Sequence, residues 1–86
     1  MFAVYVIQNE HTKELYVGHT KNLSRRISEH NRGLQAATRR LIGKWKYVYL
    51  EVYRVEKDAI SREHRLKHHG RAKQELFKRI RSSLFS

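Results

Sequence analysis

Glu63 stands where a carboxylate is least at home. At about 100° per residue, Val55, Ala59, Ile60 and Leu66 form one apolar arc, and Glu63 falls near its middle. A carboxylate on a core-facing stripe is costly unless it is paired, hydrogen-bonded or metal-bound. Two readings are open: a structural ion pair with one of the many arginines, or a ligand for a hard divalent cation at the floor of a cleft. Arg26 and His30, four residues apart, share a helix face bordering the apolar positions Leu23 and Ile27. Facing an anion they would make a phosphate clamp, Arg26 as a permanent planar fork and His30 as a titratable partner. Otherwise Arg26 only snorkels and His30 is a partly buried core residue. Tyr5 and Tyr16 fall one on each arm of an expected hairpin. A phenol, with a pKa of about 10, is a poor base unless a cation or a metal-bound water lies close.

Other constellations carry no chemistry. His64 and His68 point away from the apolar arc and have neither cysteines nor an HExxH pattern beside them, so a zinc site is not expected. The glycines are isolated, which excludes a P-loop or dinucleotide fingerprint, and no serine sits in a GxSxG context. Tyr47, Tyr49 and Tyr53 read as strand packing.

The elements that must position these residues follow from periodicity and turn chemistry. Residues 2–8 are β-branched and aromatic and read as a strand; residues 9–13 form a polar turn and 15–19 resume the strand, giving a hairpin. Asn22 is an N-cap for a helix carrying Leu23, Ile27 and His30, with Gly33 as its stop. Residues 35–44 are ambiguous, a short basic helix being one reading. Residues 46–54 form the clearest strand, in which Tyr47, Tyr49 and Tyr53 alternate with Val48, Leu50 and Val52; apolar character on both faces implies cover on both sides. Helices are expected over 56–69 and 71–82, separated by Gly70, the last burying Leu76, Phe77 and Ile80 with Leu84 extending the stripe. The fold class is α+β: a small three-stranded antiparallel sheet flanked by helices in the order β-β-α-β-α-α.

Composition bounds the function. The 86 residues suit a single domain spanning 1–86. Nineteen Lys and Arg against eight acids give a charge of +11, and fourteen of the nineteen lie between Arg39 and Arg81, which points to a polyanion, nucleic acid foremost. The absence of cysteine suits a reducing compartment, here the cytoplasm. Seven apolar residues at the start are too few for a membrane span and lack the basic lead of a signal peptide, so no membrane association is expected.

The ordered set resembles the GIY-YIG nuclease family. Ala3-Val4-Tyr5 stands at the first motif and Tyr16-Val17-Gly18 at the second; Asn22-Leu23, Arg26, His30 and Asn31-Arg32-Gly33 follow, then Ala59 to Glu63. The stretch Glu63 to Lys67, with Arg71 and Lys73 beyond, is similar to the small stand-alone URI-domain, or UPF0213-type, members. The resemblance covers residues 2–80. It implies a GIY-YIG-like fold and a phosphodiesterase that cuts DNA to 5′-phosphate and 3′-hydroxyl ends, in a setting of repair or recombination. It further implies Tyr5 and Tyr16 beside the attacking water, Arg26 on the scissile phosphate, His30 on the phosphate or in a proton relay, and Glu63 holding one Mg2+ or Mn2+. His19, where some members carry Lys, is a candidate supporting residue. Lys21, Arg25, Arg39, Arg40 and Lys67 are the candidate nucleic-acid contacts. Two departures stand out: Ala3 replaces the glycine of the first motif, and no Asn follows Asn31, so the late polar residue of many members is missing or replaced by Gln74.

Three functions compete. A nuclease predicts divalent-dependent nicking that is lost in Glu63→Ala. A non-catalytic nucleic-acid-binding module on the same fold predicts salt-sensitive binding without cleavage. A small basic structural or ribosome-associated protein leaves Glu63 as an ion-pair partner only. Branched, nicked or single-stranded DNA, and RNA, are all open as substrates. Either weak intrinsic sequence specificity or a protein partner that supplies it is expected, and the chain is read as a monomer or weak dimer.

Overall fold

The computed structural model describes residues 1–41 and 43–84. Strands β1 (Phe2–Asn9) and β2 (Leu15–Thr20) form the hairpin, helix α1 (Leu23–Asn31) follows, and β3 (Trp45–Tyr53) precedes α2 (Glu56–His68), α3 (Gly70–Arg79) and the short α4 (Arg81–Leu84). The sheet is antiparallel in the order β2-β1-β3. This is the expected α+β architecture, with the last expected helix divided in two near Ile80. The 35–44 segment, for which a short helix was one reading, is built of turns closed by Thr38 N–H to Gln35 O (3.1 Å) and Leu41 N–H to Thr38 O (3.0 Å). Ile42, in that segment, lies outside the described residues.

The central strand is β1, buried from Ala3 to Asn9 because helices cover both of its faces. Val4, Val6 and Val17 pack with Ala59, Leu66, Leu76, Ile80 and Leu84 on one face. Tyr5, Ile7 and Trp45 pack with Leu23, Ile27 and Tyr47 on the other. Cover on both sides was expected for β3; β3 is instead an edge strand, and its Leu50 and Val52 are 42% and 56% exposed. Leu50 and Val52 stand opposite Tyr5 and Ala3 of β1.

A bulge separates the tyrosines of β3. Between Val6 and Ile7 of β1 the register slips by one, with Val6 opposite Tyr49 but Ile7 opposite Tyr47. One extra residue flips every side chain beyond it. Tyr47 therefore joins the α1 face, donating its hydroxyl to Leu23 O at 2.7 Å, while Tyr49 and Tyr53 face α2. Simple alternation placed all three together.

On the α2 face, Glu51 accepts the Tyr49 and Tyr53 hydroxyls at 2.6 Å each and the Arg62 guanidinium at 2.8 and 2.9 Å. Burial pushes this carboxyl up, but the guanidinium fork and the two phenols outweigh it and hold the pKa at about 2. A depressed acid pKa stabilises the fold above the unfolded value of 4.5 and ceases to do so as pH falls toward 2. Glu51→Gln is therefore expected to lower stability at neutral pH by about 3 kcal/mol and to flatten the acid limb of a Tm-against-pH curve between those values.

Helix α1 is capped as its sequence foretells. Asn22 Oδ1 accepts Arg25 N–H at 3.0 Å, and Gly33, at φ 74°, closes the other end, its N–H on His30 O and the Leu34 N–H on Glu29 O. Asn31 then ties α1 to β3 by paired bonds to the Trp45 backbone (2.8 and 3.2 Å), which seals His30 beneath the helix end. On α2 the buried arc is narrower than periodicity suggested: Ala59 and Leu66 are buried, while Val55 and Ile60 are exposed.

Candidate active site

The site wraps around the β2 edge of the sheet. Tyr5 and Gly18 are directly paired across β1 and β2, and Ile7 pairs with Tyr16, so Tyr5, Tyr16 and Gly18 share the α1 face. A Cβ built on Gly18 would lie 2.5 Å from the ring carbon bearing the Tyr5 hydroxyl. Gly18 thus lets the phenol lie flat across β2, a close approach that no larger residue permits.

Tyr5 and His30 are both wholly buried. His30 Nε2 is 2.7 Å from the Tyr5 hydroxyl, and His30 Nδ1 is 2.7 Å from Thr38 Oγ1. Burial pushes the Tyr5 hydroxyl well above its usual range despite the Arg26 guanidinium beside it. Burial, followed by the Arg26 charge, lowers the His30 pKa to about 4, so the ring is neutral at physiological pH. Arg26 is a pure donor, so the phenol proton is assigned to His30 Nε2 and the Nδ1–H to Thr38. His30 consequently grips Tyr5 from behind and presents no nitrogen to solvent. A base held neutral in the fold makes stability fall as pH drops from its unfolded value of 6.5 through about 4, since the unfolded chain binds the extra proton. An NMR titration is expected to show the His30 ring unprotonated until about pH 4, with the global loss of stability beginning above that point.

Arg26 bridges the two sides of the edge. Its Nη1 donates to His19 O at 3.3 Å, and its buried Nε lies 3.2 Å from Glu29 Oε1 without the alignment of a hydrogen bond to any described residue. Across the edge, Glu63 is held at both oxygens, Oε1 2.8 Å from His19 Nδ1 and Oε2 3.2 Å from Lys67 Nζ. Its side chain is 18% exposed, so the carboxylate is neither sealed nor free. Lys67 Nζ also donates to the Tyr16 hydroxyl at 3.4 Å and lies 4.8 Å from the centroid of that ring. Tyr16 is half-buried, with ring centroids 6.5 Å from Tyr5 and 5.4 Å from His30.

The structure thus gathers Tyr5, Tyr16, Arg26, His30, His19, Glu63 and Lys67 around one edge; Glu63 reaches Tyr16 through Lys67 and Arg26 through His19. Among the other candidates, Lys21 and Arg39 are exposed, and Arg25 is exposed with its Nε 3.8 Å from Glu29. Arg40 pairs instead with Glu14 at 2.6 Å. Gln74 lies exposed on α3 and forms no hydrogen bond to these residues. Thr38 and Gly18 were not foreseen in these roles: Thr38 sits in a segment without periodicity, whereas Gly18, opposite an aromatic residue in a strand pattern, was a readable sign of close approach.

Among the described residues no group of three or more His, Cys, Asp and Glu could hold a metal ion. One carboxylate suffices for Mg2+ or Mn2+ where waters and substrate oxygens complete the shell. Glu63 fits that part: it is a hard oxygen donor at a partly open edge, and the Lys67 ammonium already occupies a cation position against it.

The chain belongs to the GIY-YIG family: the GIY-YIG catalytic domain matches residues 1–76, which places it in a nuclease superfamily. Within it the chain is similar to UPF0213 protein CPE1444 of Clostridium perfringens, with 39% identity over 67 residues covering 78% of this chain and 71% of the relative. It is also similar to a UPF0213 protein of Staphylococcus aureus strain Mu3, with 33% identity over 60 residues covering 70% and 73%. The solution NMR structure of UPF0213 protein BH0048 from Bacillus halodurans superposes with a TM-score of 0.55 at 27% identity, covering 93% of this chain and 85% of that one. No helix among the described residues is long and apolar enough to cross a membrane.

Proposed function

We propose that residues 1–86 form a single metal-dependent endonuclease domain that hydrolyses DNA phosphodiester bonds to 5′-phosphate and 3′-hydroxyl ends, in the cytoplasm and in the service of repair or recombination. The observation that carries this is the linkage of a partly exposed carboxylate, Glu63, to a solvent-reaching phenol, Tyr16, and to a guanidinium, Arg26, through one residue each.

The residues divide the work as follows. Tyr5 is buried and bound to His30, which leaves Tyr16 as the phenol that orients the attacking water. Lys67 donates to the Tyr16 oxygen and so fixes the hydroxyl against the water, whose proton leaves to solvent at the open edge as its oxygen bonds to phosphorus. Arg26 clamps the non-bridging oxygens of the phosphate, where charge accumulates as water adds and the bond to the 3′-oxygen breaks. His30 acts on the phosphate only through Tyr5, whose position it fixes, and His19 orients the Glu63 carboxylate. Glu63 would hold one Mg2+ or Mn2+, which would supply Lewis-acid stabilisation of the leaving oxygen. Lys21 and Arg25 extend the positive surface at the start of α1 for the flanking backbone, while Arg39 and Arg40 stand in the turns between α1 and β3, Arg40 paired with Glu14.

The test is a panel of duplex, nicked, branched and single-stranded DNA, with RNA alongside, incubated with Mg2+ or Mn2+ and mapped at the new ends. Cleavage leaving 5′-phosphates is expected. Salt-sensitive binding with no cleavage of any substrate would replace the enzyme with a binding module.

A further inference from the structure

We infer that the arginine-lined groove between α2 and α3 is a second nucleic-acid site, binding backbone phosphates away from the one that is cut. The anion's identity rests on the nuclease reading; the groove itself rests on different residues. Counting about 100° per residue, Arg62, Arg65 and His69 lie roughly 100–160° around α2 from Glu63. With Arg71 and Arg79 of α3 they wall a hollow of about 500 Å3, in which Glu75 is the one acid. Its floor is Ala72 and Leu76.

The four arginines are not equivalent. Arg62 is consumed by Glu51 and serves as a wall. Arg71 has only a loose, solvent-exposed contact with Glu75 at 3.5 Å, and such pairs contribute little. Arg65 and Arg79 have no carboxylate partner among the described residues. A solvated basic helix face would spread such side chains outward; here two helices bring them around a concave surface, where a planar fork can grip a phosphate with both arms. Arg71 and Arg79 are eight residues apart on α3, about 12 Å along its axis. That span corresponds to about three to four phosphate steps of one strand at ~3.4 Å of axial rise each. A second hollow shares Arg62, Arg65 and His69 and runs on past His64 to Tyr53, with Asp58 its one acid.

The test measures binding in EDTA, so that cleavage cannot intervene, using fluorescein-labelled 20-mer duplex DNA and, separately, single-stranded RNA. The variant is Arg65→Gln/Arg71→Gln/Arg79→Gln, whose three positions are exposed, and its circular dichroism spectrum is expected to match that of the wild type. Its control removes three exposed charges elsewhere, Lys13→Gln/Arg32→Gln/Lys57→Gln. The groove triple is expected to lose at least about tenfold in affinity at 150 mM salt and to reduce the log–log salt slope by about 2–3, the control much less. A loss on DNA, on RNA or on both supports the groove and tells which polymer it takes. Equal losses in the two triples, or none in the groove triple, overturn it. A wild-type chain that binds through the groove yet never cleaves removes the nuclease reading and leaves the groove standing. One that cleaves while the groove triple binds normally does the reverse.

Discussion

Glu63→Gln is expected to leave the protein folded and to reduce divalent-dependent cleavage by about a hundred- to a thousandfold or more, the range for loss of a preorganised electrostatic contact. The substitution keeps the side chain's size and one oxygen but removes the charge. Little stability should go with it, because the pair to Lys67 is partly solvent-exposed and such pairs are worth at most about 1 kcal/mol. His19 and Lys67 would lose their anionic partner, and a divalent cation the carboxylate proposed to hold it. Unaltered cutting by a folded Glu63→Gln protein would return Glu63 to a structural ion pair. Comparison of Tm values beside the rates separates the two effects, since misfolding would lower both.

Gly18→Ala should produce a large structural effect for a single added methyl. The new Cβ would land 2.5 Å from the Tyr5 ring carbon that bears the hydroxyl, and that ring is pinned by His30, Tyr47 and Tyr16 with no space to retreat. Overpacking of this kind costs about 1–3 kcal/mol and occasionally more. In a chain of this size, 3 kcal/mol corresponds to a fall in Tm of roughly 12–24 °C. The hydroxyl would also leave His30 Nε2, orphaning a buried acceptor. In a Tyr5→Ala background the methyl has nothing to strike, so the two losses should be strongly non-additive. A Gly18→Ala protein as stable as the wild type would mean that Tyr5 does not cross β2 there.

How much of this was legible depended on whether a residue's role is local. The caps of α1 and the hairpin turn were readable because their signals lie within a few residues of the structures they cause. Glu63 was readable as misplaced because helical periodicity is itself local, although Val55 and Ile60 widened the arc beyond what the helix buries. The bulge at Val6/Ile7 was not, since it arises only when two strands meet, and so Tyr47 was grouped with the wrong tyrosines. The composition of β3 predicts a covered strand; strand order decides edges, and composition does not encode it. His30 shows the same limit: its helix face was visible, but the Asn31–Trp45 clasp and Thr38 that bury it come from elsewhere in the chain. Lys67, read as a nucleic-acid contact, acquired its place between Glu63 and Tyr16 only when α2 packed against β2.

The central claim is that Glu63 presents a divalent cation to the same edge as Tyr16 and Arg26. Mn2+ binding followed by electron paramagnetic resonance, with an uncleavable phosphorothioate duplex present, tests it without relying on turnover. One tightly held ion per wild-type chain, absent from Glu63→Gln, is the expected result. Equal Mn2+ binding by the two proteins would contradict it.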